Sequence, residues 1–152
     1  MVCLVTHVLL PTSCLLRRAD GAEVIGAGLT LKATGRGHRP VAAALGVPAA
    51  TVRRWFAAFA AAAAAVTSVL AVVAAELDPL RGPLPVHAGG VVAGAVELVG
   101  SVAAAARRRL GVVGAVSAWE LVAAVTGGRL LAPPPRTWTR EWINTSWVLE
   151  GS

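Results

Sequence analysis

An uncharged run of 21 residues, 55–75, constrains this chain more than any other feature. Alanine fills much of the run, and alanine is the strongest helix former. Large apolar residues recur from 52 to 77 with i, i+3, i+4, i+7 spacing, which places them on one face of a helix. They are Val52, Trp55, Phe56, Phe59, Val66, Val69, Leu70, Val73 and Leu77. We therefore predict one long helix over about 49–77, ended by Asp78 and Pro79.

This run is also long enough to cross a bilayer, which needs about 20 apolar residues. Arg53 and Arg54 precede it, as basic residues do on the inner side of a span. However, alanine is roughly neutral for insertion, and the polar Thr67 and Ser68 lie in the middle. We expect no membrane insertion and instead a helix whose apolar stripe packs against residues 88–109 or against a second copy. A homodimer would then form through the helix 56–77.

Composition and charge favour a folded domain with an anionic partner. The 152 residues are 56% hydrophobic and 14% charged, which excludes a wholly disordered protein. The formal net charge is +6, and it is distributed unevenly. Residues 1–60 carry seven basic and two acidic side chains, whereas residues 61–152 carry seven and six. A basic N-terminal part indicates nucleic acid as the first partner to consider.

Residues 20–60 are predicted to form three helices. Asp20 and Glu23 have capping-box spacing, which marks the start of the first helix. Pro40 suits the first turn of the second helix, because a helix leaves its first N–H groups unpaired. A tight break at 46–48 then separates the second helix from the third. This pattern is typical of a helix-turn-helix unit, so we expect an all-α, homeodomain-like fold with a long third helix and a helical C-terminal extension.

In such a unit the last helix lies in the DNA major groove, with its first residues at the base edges. The predicted base-facing residues are Ala49, Ala50, Thr51, Arg53 and Arg54. The predicted phosphate contacts are Lys32, Arg36, His38 and Arg39. The expected partner is double-stranded DNA. The alternative is a three-helix bundle with an ordinary solvated charged face.

The remaining segments are predicted from composition and turn residues. The segment 1–19 is an N-terminal arm, 61–78 extends the third helix, and 79–87 is a linker. The segment 88–132 is a C-terminal helical region. It contains a helix over 88–109 and a short helix over 117–126, which opens with a capping box from Ser117 to Glu120. The segment 133–152 is a tail rich in proline and tryptophan.

Nothing in the sequence predicts an enzyme. The carboxylates are scattered, His7, His38 and His87 are isolated, and no phosphate-cradling glycine loop is present. No common metal site has the spacing of Cys3, His7 and Cys14. From these observations together we expect no metal, no cofactor and no catalytic residue. The apolar start lacks the basic residues that precede a signal peptide's apolar core, which favours a cytoplasmic protein.

Short segments throughout the chain form an ordered set of motifs. The central ones are GRGHR at 35–39, AALGVP at 43–48 and TVRRW at 51–55. The others are THVLLP at 6–11, RRADGAEVIG at 17–26, VSAWEL at 116–121, GGRLLAP at 127–133 and INTS at 143–146. In this order they resemble an uncharacterised, transposase-like family of helix-turn-helix proteins from high-GC bacteria. The resemblance covers nearly the whole chain and implies DNA binding without a catalytic domain.

Two departures from the family pattern matter. Members begin with a zinc-ribbon-like segment that holds two Cys-x-x-Cys pairs, and only Cys3 matches one of those cysteines. The chain is therefore expected to be truncated at its N-terminus and unable to hold that zinc. Relatives also carry several arginines near residues 57–65, where this chain has only alanines and Phe59.

The alternatives to a DNA-binding protein are a helical interaction or membrane-associated protein that uses 55–75, and a gene remnant without function.

Overall fold

The structure is a computed structural model that describes residues 20–80, 82, 89–111 and 116–132. Within these residues it contains helices and no strand, so the all-α prediction is confirmed. The helices are α1 (Ala22–Ala33), α2 (His38–Leu45), α3 (Ala49–Leu77), α4 (Gly90–Leu110) and α5 (Ala118–Val125). The predicted arm 1–19, most of the linker 79–87 and the tail 133–152 lie outside the described residues.

The long helix predicted from the apolar period is present as α3, which has 29 residues. At about 1.5 Å per residue it is about 43 Å long. Its buried positions follow the helical period from the first turn to the last, so one face is covered along the whole length. These positions are Val52, Trp55, Phe59, Ala62, Ala63, Val66, Val69, Leu70, Val73, Ala74 and Leu77. The predicted stripe is thus the main surface of the core.

Helix α4 covers much of this stripe, and its segment is one of the two partners that the sequence left open, the other being a second copy of the chain. Its own buried face is built from small and branched residues, among them Ala95, Val99 and Val102. Near its end, Arg108 Nη2 lies 3.3 Å from Asp78 Oδ2, directly after α3. This pair is largely exposed and adds little stability. The pair does show that the C-terminal ends of α3 and α4 lie side by side. In a helical hairpin the C-terminal end of α3 would instead lie beside the N-terminal end of α4.

Helix α1 lies at the centre of the fold and contacts the other four helices. Two of its glycines are buried against tryptophans. The Trp119 indole of α5 packs so closely on Gly26 that a Cβ there would overlap the ring. The Trp55 ring of α3 lies against Gly28, where a Cβ would be 3.5 Å from Trp55 Cε3. The absence of side chains at these two positions lets both indoles reach the helix backbone.

The two predicted capping boxes have opposite outcomes. The box at Asp20 is wrong, because α1 begins at Ala22 with Gly21 at the N-cap and no side-chain hydrogen bond to the cap. Asp20 lies one residue before the N-cap, too early for its side chain to accept a hydrogen bond from the N–H groups of the first turn. The box before α5 is confirmed: the Glu120 N–H donates to Ser117 Oγ at 3.1 Å, and the Ser117 N–H donates to Glu120 Oε2 at 3.2 Å.

Replacing Ser117 with alanine is therefore expected to lower the free energy of unfolding by about 1 kcal/mol, because one N–H of α5 loses its acceptor. Thermal unfolding followed by circular dichroism measures this loss. Ser68→Ala is the control, since the Ser68 hydroxyl donates to the Ala64 carbonyl within α3 and caps no helix. A Ser117→Ala protein as stable as the wild type would show that the cap contributes nothing.

Candidate nucleic-acid interface

A three-residue connection joins α2 to α3. Gly46 adopts the left-handed conformation, with φ of 65°, which favours glycine and ends α2 abruptly. The N–H groups of Gly46 and Val47 both donate to the Ala42 carbonyl, the second at 3.1 Å. Val47 is half-buried against the core, and Pro48 is the N-cap of α3. The direction in which α3 leaves α2 is therefore fixed by backbone geometry and by packing.

The first turns of α3 present two adjacent arginines to solvent. Arg53 and Arg54 are exposed, while their neighbours Val52 and Trp55 are buried at 0% and 1% exposure. Because the buried residues anchor the opposite face, the guanidinium groups project away from the core. Nη2 of Arg54 lies 3.5 Å from Oγ1 of Thr51.

The other predicted base-facing residues differ in exposure. Ala50 is exposed on the same side as the two arginines, and Thr51 is half-buried. Ala49 packs partly against the core. After Arg54 the outward side of α3 continues as alanines, with Ala57, Ala60, Ala61 and Ala64 all exposed. From Ala57 to Ala64 the outward face of this helix thus carries no long side chain.

The predicted phosphate-binding residues precede α3 in the chain, and most of them are exposed. Lys32, Arg36 and Arg39 are exposed, and His38 is half-buried. They come from the end of α1, the α1–α2 connection and the first turn of α2. The sequence has no carboxylate between Glu23 and Glu76. Between these two glutamates the chain therefore carries five lysine and arginine side chains and no acidic one.

One contact in this region was missed by sequence reasoning. The Lys32 ammonium lies 5.6 Å from the centre of the Phe56 ring, which joins the end of α1 to the second turn of α3. The helical period had assigned Phe56 to the core face, and Phe56 is in fact only partly buried. No local pattern signals the pair, because it depends on how α1 and α3 cross.

The described residues offer little for chemistry. Among them, no group of three or more His, Cys, Asp and Glu side chains could hold a metal ion. Cys3, His7 and Cys14 lie outside the described part of the chain. An open cavity of about 300 Å³ lies between the C-terminal ends of α3 and α4, lined by residues that include Leu77, Leu80 and Arg108.

In the described part of the chain two helices are long and apolar enough to cross a membrane, Ala49–Leu77 and Gly90–Leu110. Core helices of soluble proteins meet the same criterion, so length and composition alone give weak support for a span. The close approach of the C-terminal ends of α3 and α4 argues against these two helices as a pair of membrane spans. Two successive spans with a short connection run in opposite directions, which would place Asp78 and Arg108 on opposite sides of a bilayer.

Comparison with family models, with curated proteins and with solved structures finds no match to this chain. The transposase-like resemblance therefore stays a prediction.

Proposed function

We propose that this protein binds double-stranded DNA through a homeodomain-like helix-turn-helix unit formed by α1–α3, with the start of α3 in the major groove. The protein acts in the cytoplasm and without catalysis of its own, as the targeting part of a transposase-like protein would. Arg53 and Arg54 read or flank the bases. Lys32, Arg36, His38 and Arg39 hold phosphates.

The observation that carries this proposal is the outward pair Arg53 and Arg54 at the start of a helix whose other face is anchored. A major groove about 12 Å wide admits one α-helix, and arginine is the side chain that pairs best with guanine there. The short connection at Gly46 places α2 against α3, as a bracing helix requires. The alanines that follow let the helix approach DNA closely without adding charge.

Replacing Arg53 and Arg54 together with alanine is expected to weaken DNA binding at least about tenfold, since one arginine bidentate to guanine contributes about 1–3 kcal/mol. Titration of the purified protein with duplex DNA at two salt concentrations measures this. Each phosphate contact that is lost lowers the salt slope by about 0.9. Equal losses on specific and random duplexes would make these residues phosphate contacts only.

The matched control is the double variant Arg108→Ala and Arg109→Ala. It removes the same charge from two adjacent exposed arginines at the far end of α4. Binding near the wild-type level in this variant, with a loss in the α3 variant, assigns the interface to α3. Similar losses in both variants would mean generic attraction to a basic protein, and no binding by the folded wild type would overturn the proposal.

The second candidate function is a helical interaction or membrane-associated protein that uses residues 55–75. The apolar length of α3 favours it, while the position of Asp78 beside Arg108 argues against α3 and α4 as a pair of spans. Fractionation separates the candidates. A DNA-binding protein stays in the soluble fraction, and a membrane protein sediments and resists extraction with salt.

The homodimer through 56–77 remains a prediction. Most of the large apolar side chains of this segment are buried within one chain, so a second copy would meet mainly alanines.

A further inference from the structure

The contact between Lys32 and Phe56 joins the two helices that carry the candidate DNA-binding cations. The Lys32 ammonium lies 5.6 Å from the ring centre, within the range of a cation–π interaction. Phe56 is half-buried, so its position is set by the packing of α3, while Lys32 is exposed at the last turn of α1. The ring is thus the fixed partner, and the lysine is the one that is held.

The helical period relates this ring to the candidate interface. Phe56 follows Arg53 by three residues, and residues at i and i+3 are neighbours on a helix surface. Arg54 is two residues before Phe56, which places it on a different side of the helix. A lysine held over Phe56 therefore lies on the Arg53 side of α3.

We propose that Phe56 is a positioning residue for DNA binding, which holds the Lys32 ammonium beside Arg53 so that the two cations meet the same stretch of DNA. This inference rests on the proposed function. A free lysine samples many rotamers and loses that freedom when it binds a phosphate. A ring that already restricts the side chain reduces this loss, and it leaves N–H donors of the exposed ammonium for the phosphate.

The surroundings of Lys32 are consistent with this role. Among the residues that the structure describes, Lys32 makes no ion pair with a carboxylate. Within this part of the chain no carboxylate therefore neutralises its charge, and the contact with the ring leaves it positive. A lysine held by a carboxylate would have had to break that pair before it could bind DNA.

The test compares Phe56→Leu with Phe56→Tyr. Leucine keeps an apolar side chain but has no aromatic face, whereas tyrosine keeps the face. Phe56→Leu is expected to weaken duplex DNA binding about two- to fivefold, and Phe56→Tyr to bind like the wild type. In the Lys32→Ala background, Phe56→Leu should have no further effect, because the cation that the ring holds is gone.

A second measurement separates the contact from the function. The side-chain protons of Lys32 should show an upfield ring-current shift in the NMR spectrum of the free protein, which Phe56→Leu abolishes. An equal loss of binding from Phe56→Leu in both backgrounds would make Phe56 merely structural and overturn the inference. Wild-type binding by Phe56→Leu would overturn it while leaving the proposed function intact. If the wild type shows the ring-current shift of Lys32 but binds no DNA, the contact exists and both the proposed function and this role of Phe56 are wrong.

Discussion

Replacing Gly26 with alanine is expected to lower the free energy of unfolding by about 3 kcal/mol. A methyl group at this position would overlap the Trp119 indole, and both residues are buried between α1 and α5. Overpacking a well-packed core costs about 1–3 kcal/mol, and this overlap involves a helix backbone and a rigid ring rather than two flexible side chains. Chemical unfolding followed by circular dichroism measures the change.

Gly100→Ala is the matched control, since Gly100 lies inside α4 and a Cβ there would meet nothing within 4 Å. This variant should be neutral or up to about 1 kcal/mol more stable, because alanine is the better helix former. In the Trp119→Ala background the overlap disappears, so Gly26→Ala should also become neutral or stabilising. A loss from Gly26→Ala that persists without Trp119 would show that the indole is not its cause.

Replacing Trp55 with alanine is expected to cost about 3–5 kcal/mol, the range for truncating a buried tryptophan. Its ring lies where three helices meet: α3 carries it, Gly28 of α1 faces it, and Leu45 of α2 packs against the same glycine. Natural domains are stable by only about 5–15 kcal/mol, so such a loss consumes much of the total. Thermal unfolding of the variant should begin well below that of the wild type.

The same truncation also predicts an effect on binding. Arg53 and Arg54 share a helical turn with Trp55, so loosening this junction should reduce DNA binding even where the variant is still folded. Trp55→Phe is the control, since phenylalanine fills most of the space and should lose much less stability. If Trp55→Ala melted within a degree of the wild type, the junction would not be the centre of the core.

The parts of the fold that the sequence predicted well are those with local causes. Helix α3 was predicted over its observed range, because the apolar period and the alanines agree from the first turn to the last. The Ser117 capping box was correct since its two partners are three residues apart. The box at Asp20 failed although its spacing is the same, because α1 starts one residue later and spacing alone does not fix where a helix begins.

Contacts between distant segments could not be predicted in this way. No local sequence pattern pairs Gly26 with Trp119. A glycine inside a helix can simply weaken that helix, or it can let another side chain pack closely on the helix backbone, and the sequence alone does not distinguish these two cases. The same holds for Lys32 and Phe56, whose contact depends on the crossing of α1 and α3. In the candidate site, the exposure of Arg53 and Arg54 followed from the period. The partial burial of Ala49 depends on how the start of α3 packs.

The two glycines of α1 also bear on the order of folding. Each lowers the intrinsic helix stability by about 1 kcal/mol relative to alanine, and α1 has no side-chain cap to offset this. Helix α3, rich in alanine, can form early from its own sequence. We therefore expect α1 to remain unstructured until the tryptophans of α3 and α5 are in place. The central helix of the finished protein would then form after the long helix that it packs against.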